Sequence, residues 1–95
     1  MHQSVRRYEN VSNPREVGRH VNETFTSLIG AVPGFIAYHF TDAGNGTMFS
    51  TSIFQDKAGV EESNRVAAEW VKKNPSVLPA ATQVTTGEVL GHKVK

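Results

Sequence analysis

Apolar residues recur in this chain at two different periods, and the alternation between them lays out its elements. Over residues 14–30, Val17, Val21, Phe25, Leu28 and Ile29 follow one another at steps of three and four, with Arg15, Arg19, Asn22 and Glu23 on the opposite side. That spacing predicts an amphipathic helix. Asn13 is suited to its N-cap, Pro14 to its first position, and Glu16 to the carboxylate of a capping box. A thinner stripe of Ala58, Val60, Ala67, Trp70 and Val71, interrupted by Ser63 and Asn64, predicts a second helix capped by Asp56 and ending near Asn74 and Pro75. Gly59 in its first turn weakens it by up to ~1 kcal/mol relative to alanine. Residues 4–10, 35–41, 47–55 and 84–94 have the β-branched and aromatic content of strands. Val32, Pro33 and Gly34 break the first helix, and Pro79 sits in an irregular connection before the last strand. Asn45 and Gly46 can both take positive φ, so the run from Asp42 to Gly46 predicts a tight hairpin between the second and third strands.

The order β-α-β-β-α-β fits an α+β, ferredoxin-like split plan: a four-stranded antiparallel sheet with two helices on one face. In the second strand Phe35, Ala37 and His39 alternate with Ile36, Tyr38 and Phe40. The third separates Phe49 and Ile53 from Met48 and Phe54. Neither face is cleanly polar, and two helices cover only one of them. The remaining face calls for a partner sheet, and hence for a homodimer.

Length and composition strengthen that expectation. Ninety-five residues make one domain, spanning 1–95, with a thin stability margin, and the absence of cysteine removes disulfides and thiolate chemistry. A net charge of +1 with scattered acids and bases gives no field for nucleic acid; the pairs Arg6-Arg7 and Lys72-Lys73 read as solvated or ion-paired residues. Charges throughout the first twenty residues leave no room for a signal peptide, and no stretch of 18 apolar residues occurs, so a cytoplasmic location without membrane contact is expected. The sequons at Asn10, Asn22 and Asn45 are then chance matches.

Charged residues on the first strand stand out, because the split plan makes that strand central. Alternation sends Arg7 and Glu9 to one face and Arg6 and Tyr8 to the other. Either Arg7 pairs with Glu9 or Glu88, or an arginine at the cavity or dimer seam holds an anionic ligand. His39 is the acid-base candidate, since its pKa moves easily through neutrality and its neighbours Tyr38 and Phe40 suggest burial; a structural, hydrogen-bonded histidine is the competing reading. Ser63 and Asn64 face either the cavity or the solvent edge. Trp70 reads as a core or interface anchor. The four histidines form no i, i+4 pair and no acidic cluster, so no metal site is expected. Hydrolase, kinase and dehydrogenase motifs are absent.

The run from Val32 to Tyr38, with Pro33-Gly34 opening a strand that contains Tyr38, and the junction Phe54-Gln55-Asp56 resemble the antibiotic-biosynthesis-monooxygenase type of dimeric α/β-barrel protein. The resemblance covers the whole chain in element order. It implies two sheets packed face to face, with a small cavity between each sheet and its own helices. It also implies a small-molecule-binding protein, with cofactor-independent oxygenation of an aromatic or polyketide-like substrate as the leading activity and no bound cofactor. On that reading Tyr38, His39, Asn64 and Trp70 line the pocket, His39 is the catalytic residue and Arg7 holds an anion. The sequence departs from the family where a histidine of the second helix is replaced by Ser63-Asn64, and Asn64 and Trp70 lie six apart, pointing in different directions. A non-catalytic stress-response or interaction domain with a vestigial cavity is the alternative, and haem binding or degradation a third.

Overall fold

The computed structural model describes residues 1–95. It builds β1 (His2–Tyr8), a first helix over residues 14–30, β2 (Phe35–Gly44), β3 (Thr47–Phe54), a second helix (Lys57–Lys73) and β4 (Gln83–Glu88). All pairings are antiparallel and the strand order is β2-β3-β1-β4, the split arrangement expected from the element order. Both helices lie on one face, where Val21, Phe25 and Ile29 of the first and Val60, Ala67 and Val71 of the second join Tyr8, Met48 and Phe54 in one core. Asn45 and Gly46 take φ of 55° and 81°, closing the β2–β3 hairpin as their composition predicts.

The first helix departs from regularity in its middle. It opens as an α-helix over Pro14–His20, widens into a π-helical turn over Val21–Phe25, and closes as an α-helix over Thr26–Gly30. Its buried residues Val17, Val21, Phe25 and Ile29 are spaced by four throughout, whereas Leu28 is 49% exposed and leaves the expected stripe. A step of four overshoots a 3.6-residue turn by about 40°, so three such steps would drift about 120° around an ideal helix. The wider i→i+5 turn takes up that overshoot and keeps all four side chains on the sheet. Thr24 and Thr26 donate to the carbonyls of His20 and Asn22, each at 2.8 Å.

Three local expectations need correcting. Asn13 makes no side-chain cap bond, because Glu16 turns outward to pair with Arg19 instead of reaching back. Gly59 does more than fill a tolerant position. A Cβ there would lie 2.8 Å from the Phe54 ring, so the glycine lets the second helix close onto β3, while the Asp56 carboxylate caps the helix by accepting from Gly59 N–H at 2.9 Å. The last strand ends at Glu88 rather than at Val94, and Leu90 and Val94 are exposed. β4 is an edge strand, and after Val89 donates to the Met1 carbonyl, β1 offers no further partner.

Candidate functional site

The register sorts the sheet into two faces. Toward the helices, one row across the strands reads Phe40, Ser50, Arg6, Val84 and the next reads Tyr38, Ser52, Ser4, Thr86. Away from them the corresponding rows read Thr41, Phe49, Arg7, Gln83 and His39, Thr51, Val5, Thr85. The middle of the covered face is therefore polar: Ser4, Arg6, Ser50 and Ser52 are buried there, with Ser63 of the second helix above them.

Arg6 is the centre of this seam. It is 2% exposed, and none of the chain's ion pairs includes it. Its Nη1 donates to Asn64 Oδ1 at 2.7 Å and its Nη2 to Ser52 Oγ at 2.9 Å; Ser4 Oγ donates to the same Asn64 oxygen at 2.7 Å. Nε of Arg6 and Oγ of Ser50 are buried without a partner. A guanidinium surrounded only by neutral groups is costly to bury, by several kcal/mol in general, and an anion at the same place offsets that cost. The two hydrogens on Asn64 Nδ2 have no protein acceptor, since its bonds both arrive at the oxygen.

A cavity of about 580 Å³ opens from this centre. Arg6, Tyr8 and Asn64 form its floor, Ala68, Val71, Leu78, Pro79 and Ala81 its walls, and Lys72 stands at its rim. Asn64, Ala68, Val71 and Lys72 fall at i, i+4, i+7 and i+8, so one face of the second helix supplies that whole side. The small side chain of Ala68 leaves the space. Residues 75–81, the irregular connection, close the far wall with prolines and alanines.

On the first-helix side the interior is filled. Phe25 packs against Tyr38 and against Trp70 with ring centroids 5.5 Å apart in both cases, and Tyr8 meets Phe40 edge-on at 6.1 Å. Burial holds the Tyr38 phenol well above the ordinary tyrosine range, against the opposing pull of Arg6. Tyr38 is accordingly a proton donor and not a base at neutral pH.

The residues singled out in the sequence separate in space. Asn64 faces the cavity, and Ser63, fully buried, donates to the Val60 carbonyl at 2.7 Å. Tyr38 and Trp70 belong to the aromatic packing beside the cavity, on a different side of the second helix from Asn64. His39 is exposed on the opposite sheet face, which corrects the expectation of burial. Tyr38 and Phe40 turn inward, so alternation turns the residue between them outward. Arg7 shares that outer face and lies 3.5 Å from Glu9, away from the cavity; Arg6 occupies the place where an anion holder was sought. One signal for Arg6 stood in the sequence: Ser50 and Ser52 alternate with the strand period on the side of Met48 and Phe54, marking a polar centre on an apolar face. No group of three His, Cys, Asp or Glu side chains converges anywhere. The cavity wall holds no histidine or cysteine, so it offers haem iron neither imidazole nor thiolate.

No family profile and no curated protein sequence matches this chain. Solved structures do. MupZ from Pseudomonas fluorescens is similar at a TM-score of 0.71 and 15% identity over 90% of this chain, which spans 65% of the length of MupZ. The ActVA-Orf6 monooxygenase of Streptomyces coelicolor, solved with the ligand Nanaomycin D, is similar at 0.69 and 12% identity, covering 99% of this chain and 91% of that one. SnoaB, a cofactor-independent oxygenase of Streptomyces nogalater, is similar at 0.69 and 11% identity, covering 96% and 94%. Likeness at such identities is a likeness of fold, and the chain shares the ferredoxin-like α+β fold of the antibiotic-biosynthesis-monooxygenase-like proteins.

Proposed function

We propose that this chain is a homodimeric barrel protein of the cytoplasm that binds a small aromatic molecule bearing an acidic oxygen, with Arg6 as its anion holder. The observation that carries the reading is a buried guanidinium without a counter-ion at the floor of a largely apolar cavity. A phenolate or enolate supplies the missing charge while its rings lie along Ala68, Val71 and Leu78. Asn64 orients Arg6 through its oxygen and offers its free Nδ2 hydrogens to the ligand.

The cavity wall holds no His, Asp or Glu, so no side chain there accepts a proton at neutral pH. The substrate must be acidic in its own right, and Arg6 favours its ionised form. An electron-rich anion of this kind reacts with O2 directly. For a methylene activated by the ring, CH2 and O2 give C=O and H2O: two C–H bonds break, one oxygen atom enters the carbonyl, and the other leaves as water. The reaction needs no bound cofactor, in keeping with what SnoaB is, and polyketide-like aromatics are the substrate class of choice. His39 lies outside this chemistry, on the face assigned to the dimer.

Support for the dimer comes from that outer face, where Val5, Phe49 and Ile53 lie on the two central strands with nothing over them. The reading is tested by O2 uptake with an anthrone-type substrate. Uptake by the wild type that is lost in Arg6→Met and Ala68→Leu, with circular dichroism unaltered, supports it; equal uptake by all three overturns it. The filled aromatic side, with only about 10 Å³ of free space, favours a second reading as a non-catalytic domain. Absence of binding by any aromatic anion would select that one.

A further inference from the structure

Charge at the cavity is not confined to its floor. Lys72 lines the same cavity from the last turn of the second helix, and it is exposed and free of any ion pair or hydrogen bond to protein. Its neighbours are all engaged: Lys73 holds Glu69 at 3.1 Å, and Arg65 holds Glu62 at 2.6 Å and Glu69 at 2.9 Å. These pairs lie on the outward side of the helix, so the one lysine left over is the one that reaches the cavity. No carboxylate lines the cavity to neutralise either cation.

Resting on the function proposed above, we infer that the ligand carries two acidic groups: a phenolic or enolic oxygen held by Arg6, and a carboxylate at the other end of the ring system held by Lys72. Geometry sets the length of such a ligand. Asn64, which touches Arg6, and Lys72 are eight residues apart on one helix, a rise of about 12 Å. A lysine side chain leans toward the helix N-terminus, which shortens the gap between the two charged heads to roughly 6 to 9 Å. Two or three fused rings span that distance, and the wall between is Ala68 and Val71, flat enough for a planar ligand. The two cations have different duties. Arg6 is desolvated and contributes most of the affinity; Lys72 is solvated and discriminates among ligands that Arg6 already accepts.

The test compares a hydroxynaphthoate, its hydroxyl and carboxylate at opposite ends of the rings, with the matching hydroxynaphthamide by titration calorimetry on the full chain. Carboxylate and amide have nearly the same shape, so their affinity ratio isolates the charge. The expected ratio favours the carboxylate by about threefold to fivefold, as an exposed ion pair permits. It should fall to unity in Lys72→Met, and in the wild type at about 1 M salt, where screening acts within ~3 Å. A ratio of unity in the wild type at low salt, or an unaltered ratio in Lys72→Met, overturns the inference while amide binding keeps the anion-binding reading standing. Failure of both ligands to bind overturns the reading itself, and the inference with it.

Discussion

The helix-covered face of the sheet is polar at its centre, and the uncovered face is apolar at its centre, the reverse of what one subunit alone would require. Ser4, Arg6, Ser50 and Ser52 occupy the buried middle, while Val5, Phe49 and Ile53 occupy the middle that faces outward. Arg6 and Arg7 show the contrast most directly. Adjacent on β1, they point to opposite faces; one is buried among neutral partners, the other half in solvent beside Glu9. Burial ordinarily selects apolar groups and leaves charges in water. Where a face breaks that rule, something other than the chain's own packing accounts for it: a ligand on the inner face, a second copy on the outer one.

The comparison can be broken most severely at Arg6. Arg6→Met should lower affinity for an aromatic anion by about 2–5 kcal/mol, the usual loss when one partner of a buried charged contact is removed. Unfolding free energy, measured in urea, should stay level or rise by about 1–2 kcal/mol, because an unneutralised charge leaves the core. A fall in stability of similar size would mean that Arg6 serves the fold and not a ligand. The outer face is tested by Phe49→Asp. Arg7 lies opposite Phe49 in the register, so the new carboxylate has a cation within reach and the subunit stays folded. The expected result is a monomer by sedimentation where the wild type is a dimer; a wild-type monomer would remove the partner from the argument.

A smaller effect is expected at Gly59→Ala. Helix propensity alone would give a gain of up to ~1 kcal/mol. Contact with the fully buried Phe54 ring instead predicts a loss of about 1–3 kcal/mol by thermal or chemical unfolding, which would separate the tightly packed end of the inner face from its open end. Smallest is an alkaline effect at Tyr38. The folded state keeps the phenol proton where the unfolded chain releases it, so the stabilisation is complete below about pH 10 and declines as pH rises past that value. Unfolding compared at about pH 9 and about pH 11 should show this decline in the wild type and a shallower one in Tyr38→Phe.

Element order was legible from local signals that the fold leaves intact: Asn45-Gly46 for the hairpin, Asp56 for the second helix, the alternation of Arg6 and Arg7 between faces. Which face the helices would cover was not, because it depends on pairing partners distant in the chain. Arg6 becomes the centre of a site only when Ser50 and Ser52 of β3 and Asn64 of the second helix arrive beside it. Asn64 was recognisable because it interrupts an apolar stripe, and a helical stripe is local. His39 was misread for the opposite reason. Its aromatic neighbours suggested burial, but in a strand two buried neighbours imply an exposed residue between them. The end of β4 depended on the length of β1, which nothing within residues 84–94 records.

The π-helical turn at Val21–Phe25 gives the first helix an unusual tolerance profile. Its outward positions, among them Arg15, Arg19, Asn22 and Glu23, touch no core residue and should accept most polar substitutions. A single-residue deletion within 21–25 is another matter: it would rotate everything downstream by about 100° and swing Phe25 and Ile29 away from β2. The element is permissive in composition and strict in length. Drift in this protein's lineage would accordingly be written there in exchanges of side chain, and a change of even one residue in the helix's count would have to be accompanied by rebuilding of the aromatic wall against which the cavity rests.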